Sequence, residues 1–262
     1  MFSDCNYRMF FSSSSFVGSR NRLTTAAPFS PSIEITSRLF AVSNDAKHIY
    51  SGAHWDYSLR IYSVLKSKTI ASMVRHTDVI TCLALDSTGY ILVTGSRDTT
   101  CVVWYLSSHD PDSTMLMSAE LTIYGHTAEV TCVSVSSELD LVVSGSTDGT
   151  CNMHTIEHGT YVRTLRPTND QHDPIVNLKL STERHLLVQT EREETHLFLY
   201  SINGCLIRTR KFEFRIAGML LHDHYIVLAV NHESSLEPKR GVRSDEATPS
   251  LAARIIIKDM FE

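Results

Sequence analysis

One segment of this chain occurs twice at a fixed spacing, and the repeat constrains the fold more than any other feature. His76 and His126 each stand 22 residues before an Asp, and the runs that follow them match at an offset of 50 residues. The matching runs are ITCLAL (80–85) with VTCVSV (130–135), and LVTGSRDTTC (92–101) with VVSGSTDGTC (142–151). So many shared spacings predict a protein built from repeated structural units.

Each unit contains short apolar or alternating runs bounded by Gly, Asp and Ser, which is the pattern of strand, turn and strand. A four-stranded antiparallel unit that recurs every 40 to 50 residues is typical of a β-propeller blade, which buries its faces only by stacking on neighbours. Weaker copies occur at 51–62, 186–200 and 225–258. We therefore predict an all-β propeller with four to five blades in an incomplete ring.

The motif within these units resembles the WD-repeat family. Gly125-His126 precedes the first strand of a unit, a Gly-Ser-x-Asp run ends the second strand, and Trp104 lies in the third. The resemblance implies a hydrogen-bonded network inside each blade. In the second unit it comprises His76, Thr94, Asp98 and Trp104, and in the third it comprises His126, Ser144 and Asp148, with Thr155 expected at the Trp position.

Other stretches resemble more closely the WD repeats of BEACH-domain proteins, the neurobeachin and LPS-responsive beige-like anchor group. They are SGAHWDYSLRIYS (51–63), 130–135 with 139–146, HTI (154–156) and YSING (200–204). The resemblance implies the C-terminal propeller of a much longer protein, with a pleckstrin-like domain and a BEACH domain in cis. It also implies a role in vesicle and membrane trafficking and in protein localisation, with a protein kinase among the partners.

The beginning of the chain differs in composition from the rest. Residues 1–32 are rich in Ser and Arg and contain a single acidic residue, Asp4. Mitochondrial transit peptides have this composition, but a disordered linker or leader shares it and is the interpretation we favour. We therefore predict a leader at 1–32 and the propeller fragment at 33–262.

Charge and hydropathy exclude several classes of function. A net charge of −5 and a pI near 6.2 give no electrostatic basis for nucleic-acid binding. The sequence contains no apolar run of the length that a transmembrane helix requires, so we expect at most a peripheral association with endomembranes. Six cysteines without a signal-peptide core predict reduced thiols and a cytoplasmic location.

Two arrangements could carry chemistry. His, Asp and Ser of one unit form the set of a hydrolase triad, but the set recurs with the blade, whereas a catalytic triad occurs once in a protein. The cluster His222-Asp223-His224 could bind a metal ion, although paired histidines in a polar turn are more often solvated. We predict no catalytic residue, no metal and no cofactor.

The expected function is therefore a protein-binding scaffold, with partners held on a face of the propeller. The residue before each turn Asp gives Trp55, Arg97 and Thr147, and the residues that follow each His give Asp78, Val79 and Glu129. Insertions at 107–119 and 233–250 are further candidates. Two alternatives stay open: a WD-repeat adaptor of another pathway, such as a substrate receptor of a ubiquitin ligase, and a truncated gene product without independent function.

Overall fold

The computed structural model describes residues 29–30, 32–107, 116–168, 173–192, 194–222, 225–232 and 252–259. Within them the chain forms one short 3-10 helix, Ser37–Leu39, followed by strands arranged in five antiparallel sheets. Four sheets have four strands each, and the fifth has three. In every sheet the strands lie in sequence order, so each sheet is a blade formed by one continuous stretch of chain.

The strand bounds follow the repeats. Blade one contains β1 (Phe40–Val42), β2 (His48–Ser51), β3 (Ser58–Ser63) and β4 (Lys68–Val74); blade two contains β5 (Ile80–Leu85), β6 (Ile91–Ser96), β7 (Cys101–Ser107) and β8 (Leu116–Ile123). Blade three contains β9 (Val130–Ser136), β10 (Leu141–Ser146), β11 (Cys151–Thr155) and β12 (Tyr161–Leu165). Blade four contains β13 (Ile175–Leu180), β14 (His185–Glu191), β15 (Thr195–Ser201) and β16 (Leu206–Phe212); blade five contains β17 (Arg215–His222), β18 (Tyr225–His232) and β19 (Ala252–Asp259).

Burial is greatest in the middle strands of a blade and least in the outermost strand. Every residue of β10 is buried, because both faces of this second strand pack against neighbouring blades. The fourth strand β16 is mostly exposed. The apolar clusters lie between blades, as where Val93 and Val103 of blade two pack against Val130 and Val133 of blade three. The core is therefore a series of interfaces between adjacent sheets.

Glycine allows the closest approach between blades. A Cβ atom on Gly95 would lie 2.6 Å from Cγ1 of Val130 in the next blade and 2.7 Å from Sγ of Cys82. Gly145 occupies the same position one blade later and faces Ile175 in the same way. Beside each glycine a threonine hydroxyl, that of Thr81 or Thr131, donates to a backbone carbonyl of the following blade. The repeat motif therefore joins blades as well as building them.

The prediction of an all-β propeller with four to five blades is confirmed, and in the part of the chain that the structure describes the blades do not close a ring. In the fifth blade the described residues form three strands. Residues 116–119, assigned to an insertion, instead begin β8 and pair with β7. Residues 108–115 and 233–250 lie outside the described residues.

The predicted leader has contacts at its end. Residues 1–28 and 31 lie outside the described residues, but the Phe29 ring stacks on His54 with 4.8 Å between ring centroids. The Ser30 N–H donates to the Ala53 carbonyl at 2.7 Å. Chain that precedes residue 33 therefore packs on blade one, while the boundary between leader and propeller stays a prediction.

Candidate functional site

The predicted network residues of blade two lie within hydrogen-bond distance of one another. Trp104 Nε1 is 3.0 Å from Thr94 Oγ1, and Thr94 Oγ1 is 2.7 Å from His76 Nε2. On the other side of the imidazole, His76 Nδ1 is 3.0 Å from Asp98 Oδ2. Strand β7 supplies the Trp, β6 the Thr, and the turns on either side supply the His and the Asp.

The direction of these hydrogen bonds follows from the chemistry of the groups. An indole N–H can only donate, so Trp104 donates to the Thr94 oxygen. An ionised carboxylate can only accept, so His76 Nδ1 donates to Asp98. Thr94 Oγ1 also lies 2.7 Å from His76 Nε2, and its hydroxyl donates to the Val102 carbonyl at 3.5 Å. The hydrogen bonds thus form a continuous chain from Trp104 in the core to Asp98 in the turn.

Asp98 is held in its ionised form at the end of this chain. Burial alone would raise the pKa of its carboxyl, but hydrogen bonds from His76, Thr100 and the Thr77 backbone outweigh that effect and hold the pKa well below its usual range. The Thr77 and Thr100 N–H groups donate at 2.9 Å each. The carboxylate therefore fixes both the turn β6–β7 and the connection that leads into β5.

Blade three repeats the arrangement with one change. His126 Nε2 is 2.8 Å from Ser144 Oγ, and His126 Nδ1 is 3.2 Å from Asp148 Oδ2. The expectation that Thr155 replaces Trp is wrong. His154 pairs with Val142 across the strands, just as Trp104 pairs with Leu92 in blade two. His154 therefore occupies the Trp position, and the expected residue, Thr155, is one position further along the strand.

The other predicted residues lie at the end of the blades where the second and third strands meet. We define the turn face as Trp55, Asp78, Arg97, Glu129 and Thr147. Trp55 is 57% exposed, in the turn between β2 and β3. Arg97 Nε lies 3.3 Å from Glu129 Oε2, an ion pair that joins blade two to the entry of blade three. The Thr147 N–H donates to the Glu129 carbonyl at 3.1 Å.

Two of the predicted residues have internal contacts. Val79 is 4% exposed and packs with Leu39 and Ala53, so its side chain offers no surface to a partner, and we leave it out of the turn face. Asp78 is half-buried, and its Oδ1 accepts from the Val79 N–H at 2.6 Å. The backbone carbonyl of Asp78 accepts from the Ser96 hydroxyl at 3.1 Å.

The structure adds residues that the repeat motif did not identify. Arg97 also reaches Ser32 of the predicted leader, with Nη1 3.3 Å from the Ser32 hydroxyl. At the same end of blades four and five, Arg215 pairs with Glu191 at 3.0 Å, and Arg192 lies 3.7 Å from Asp173. Blade four lacks the Gly-Ser-x-Asp run, so its turn could not be aligned with the others. The only sequence signal was the cluster of charges at 191–194.

The family model of the neurobeachin β-propeller domain matches residues 1–235. The chain belongs to the neurobeachin β-propeller family. This neurobeachin-family propeller is similar to BEACH domain-containing protein B of Arabidopsis thaliana, with 30% identity over 196 residues that cover 68% of the chain and 7% of that relative. It is also similar to Striatin-4 of Mus musculus, with 36% identity over 67 residues, 26% of the chain and 9% of the relative. The chain spans a small part of both relatives.

A solved structure shows the same fold for the neurobeachin-family propeller. A chain in the crystal structure of the mitotic checkpoint complex superposes with a TM-score of 0.61 at 15% identity, over 74% of this chain and 57% of that one. At that identity the likeness concerns the fold alone. It agrees with the assignment of the five sheets to propeller blades.

Metal binding has no support in the described part of the neurobeachin-family propeller. No group of three or more His, Cys, Asp or Glu residues there is placed to hold a metal ion. His224 lies outside the described residues, and of His222 only the backbone is described, at the end of β17. The described residues also contain no helix of the length and apolarity that would cross a membrane.

His154 should make the stability of this neurobeachin-family propeller depend on pH. Burial and the nearby His126 lower the pKa of His154, which is 4% exposed, and among the described residues its Nδ1 has no hydrogen-bond partner. The unfolded chain therefore binds a proton more readily than the folded chain. The contribution of neutral His154 to stability is complete above its pKa in the unfolded chain, near 6.5. The contribution is lost as the pH falls through the lower pKa that His154 has in the folded chain.

We expect the His154→Phe variant to lose less stability than the wild-type chain between neutral pH and mildly acidic pH. The measurement is the urea midpoint at the two pH values. His158→Asn is the matched control, because His158 is exposed and should leave the wild-type pH dependence unchanged. An identical loss of stability in His154→Phe and wild type would show that His154 does not contribute.

Proposed function

We propose that this chain is a non-catalytic scaffold that binds protein partners through its turn face and acts in membrane trafficking and protein localisation. Membership of the neurobeachin β-propeller family and similarity to a BEACH domain-containing protein support the pathway. The main observation for the binding surface is Trp55, a large aromatic side chain that is 57% exposed in the turn between β2 and β3. Exposed Trp and Arg side chains are the most frequent anchors of protein interfaces.

The charged side chains of the turn face match the composition of an interface rim. Arg97 and Glu129 form an ion pair of which each side chain is about one-third exposed, and charged pairs of this kind occur at the rims of interfaces around an apolar centre. The pair joins blades two and three, and Arg97 also contacts Ser32 ahead of blade one. A partner seated here would therefore contact three parts of the chain at once.

The geometry of the networks argues against catalysis. Ser144, His126 and Asp148 have the connectivity of a hydrolase triad, but Ser144 is 1% exposed, so a substrate carbonyl has no access to its hydroxyl. In blade two the residue equivalent to Ser144 is Thr94. It is fully buried, and its hydroxyl is hydrogen-bonded with Trp104 and His76. We assign these groups to the stability of the blades.

The relatives suggest a cellular context for this proposal. The matched stretches cover 7% of BEACH domain-containing protein B and 9% of Striatin-4, and the first of these contains a BEACH domain by name. We propose a cytoplasmic location, peripheral on endomembranes, with pleckstrin-like and BEACH domains in cis where the chain is part of a longer protein and a protein kinase among its partners. The turn face would then present partners to a membrane-associated complex.

The test is proximity labelling in cells with the wild-type chain and two variants. We expect Trp55→Ala to reduce labelling of trafficking proteins about tenfold, in line with the loss of an interface anchor. The matched control is Tyr90→Ala. Tyr90 is 62% exposed but lies in the turn between β5 and β6, at the opposite end of the blades, so this variant should label like wild type.

Three outcomes would contradict the proposal. Equal loss of labelling in Trp55→Ala and Tyr90→Ala would place the binding surface elsewhere. If the proteins labelled by the wild-type chain were ubiquitin-ligase subunits, the adaptor alternative would be favoured. If no protein were labelled reproducibly, a gene product without independent function would be favoured.

A further inference from the structure

A cavity of about 180 Å³ lies between the inner strands of the propeller. It is lined by residues of all five blades and of the helix Ser37–Leu39. The residues that matter here are Arg38, from that helix, and Asn177 and Lys179, both from β13. At about 30 Å³ for each water molecule of liquid, the cavity has room for a small molecule but not for a folded peptide.

Two cations line this cavity without an acidic neighbour. None of the described residues that line it is Asp or Glu. Arg38 Nη1 donates to the backbone carbonyl of Val176 at 2.5 Å, which directs the guanidinium to β13, the strand of Lys179. In the described part of the chain neither Arg38 nor Lys179 forms a salt bridge, although other surface cations do.

Lys179 is partly buried at this cavity. Burial is the main influence that lowers the pKa of its ammonium; Cys132 acts in the opposite direction, and the positive charge of Arg38 lowers the pKa further. A charge withdrawn from water is unfavourable unless a counter-charge accompanies it. Because Arg38 and Lys179 line the same cavity and none of its described lining residues is acidic, an anion is the missing partner of this site.

We propose that this cavity binds a small oxyanion of the phosphate class between Arg38 and Lys179. Two positive charges match a dianion better than a single carboxylate, and guanidinium and ammonium groups are the usual phosphate ligands of proteins. The Asn177 side chain, 7% exposed at the cavity wall, supplies an amide donor for a third phosphate oxygen. The site is separate from the turn face and does not depend on the proposed function.

The experiment is thermal unfolding and calorimetric titration of the full chain with inorganic phosphate at constant ionic strength. We expect phosphate to raise the melting temperature, because a ligand that binds only the folded state stabilises it. Lys179→Met should weaken phosphate affinity by about tenfold or more. Lys68→Met is the matched control, since Lys68 is an exposed lysine on β4 and should respond like wild type.

A second measurement keeps the proposal testable if one variant folds poorly. Without phosphate, Lys179→Met should be at least as stable as wild type, because it removes an uncompensated charge from the cavity. Arg38→Gln should also lose the phosphate response. A parallel titration with glycerol 3-phosphate distinguishes a free phosphate ion from a phosphate ester. Equal phosphate responses in wild type, Lys179→Met and Arg38→Gln would overturn the site.

Discussion

Replacement of Asp98 by alanine should lower the free energy of unfolding by about 3 kcal/mol, the upper end of the usual effect of leaving buried hydrogen-bond donors without an acceptor. The Asp98 carboxylate accepts from the Thr77 and Thr100 N–H groups, the Thr100 hydroxyl and His76 Nδ1. Alanine leaves these donors without an acceptor, and His76 is only 3% exposed, so water cannot replace the carboxylate at that position. Urea denaturation at neutral pH measures the change.

The adjacent residue provides the control for this variant. Arg97→Ala removes a side chain that is about one-third exposed, and surface substitutions of that kind change stability by less than about 0.5 kcal/mol. Asp148→Ala in blade three should lower the free energy of unfolding to a similar extent as Asp98→Ala, because the same donors converge on Asp148. Equal urea midpoints for Asp98→Ala and wild type would refute a structural role for the network.

Replacement of Gly95 by alanine should lower the free energy of unfolding by about 2 kcal/mol, although alanine is normally no worse than glycine in a strand. The added methyl group would lie 2.6 Å from Cγ1 of Val130 and 2.7 Å from Sγ of Cys82, closer than these atoms can approach. Blades two and three would have to separate. The effect is measured by thermal or urea unfolding of the variant.

Gly218→Ala is the matched substitution in blade five. A Cβ atom there would meet Cβ of Ala229 at 3.7 Å, an ordinary van der Waals distance, so we expect a change of less than about 0.5 kcal/mol. Neither glycine has a positive φ, so backbone strain does not distinguish the two variants. If Gly95→Ala were as stable as Gly218→Ala, the prediction would be wrong, and blades two and three would be able to accommodate the added methyl group at their interface.

The repeats made most of the fold predictable from the sequence. Two copies with equal spacings locate the first three strands of blades two and three, and β5 and β9 begin at equivalent residues, Ile80 and Val130. Their networks were predictable because each lies within one blade, so its residues recur with the repeat. The register of a single strand was harder: His154 and not Thr155 faces the Trp position, since one residue of offset exchanges the two faces of a strand.

What the sequence could not predict depends on contacts between distant parts of the chain. The Arg97–Ser32 contact joins residues 65 apart, and Arg38 reaches Val176 across 138 residues. Neither pair belongs to a motif. The burial of Val79 was also missed, because the residue after a turn can face the core or the solvent, and the side is decided by packing against Leu39 and Ala53.

The hydrogen bonds that hold the turns have a consequence for how a partner would associate. Each of the carboxylates of Asp98 and Asp148 accepts hydrogen bonds from two backbone N–H groups, one within its own turn and one in the connection that leads into the first strand of the blade. The turns that contain Arg97 and Thr147 are therefore already ordered in the free protein. Little conformational entropy is then lost when a partner docks. Substitutions on such a preorganised surface should act mainly on the lifetime of the complex and leave the rate of encounter almost unchanged.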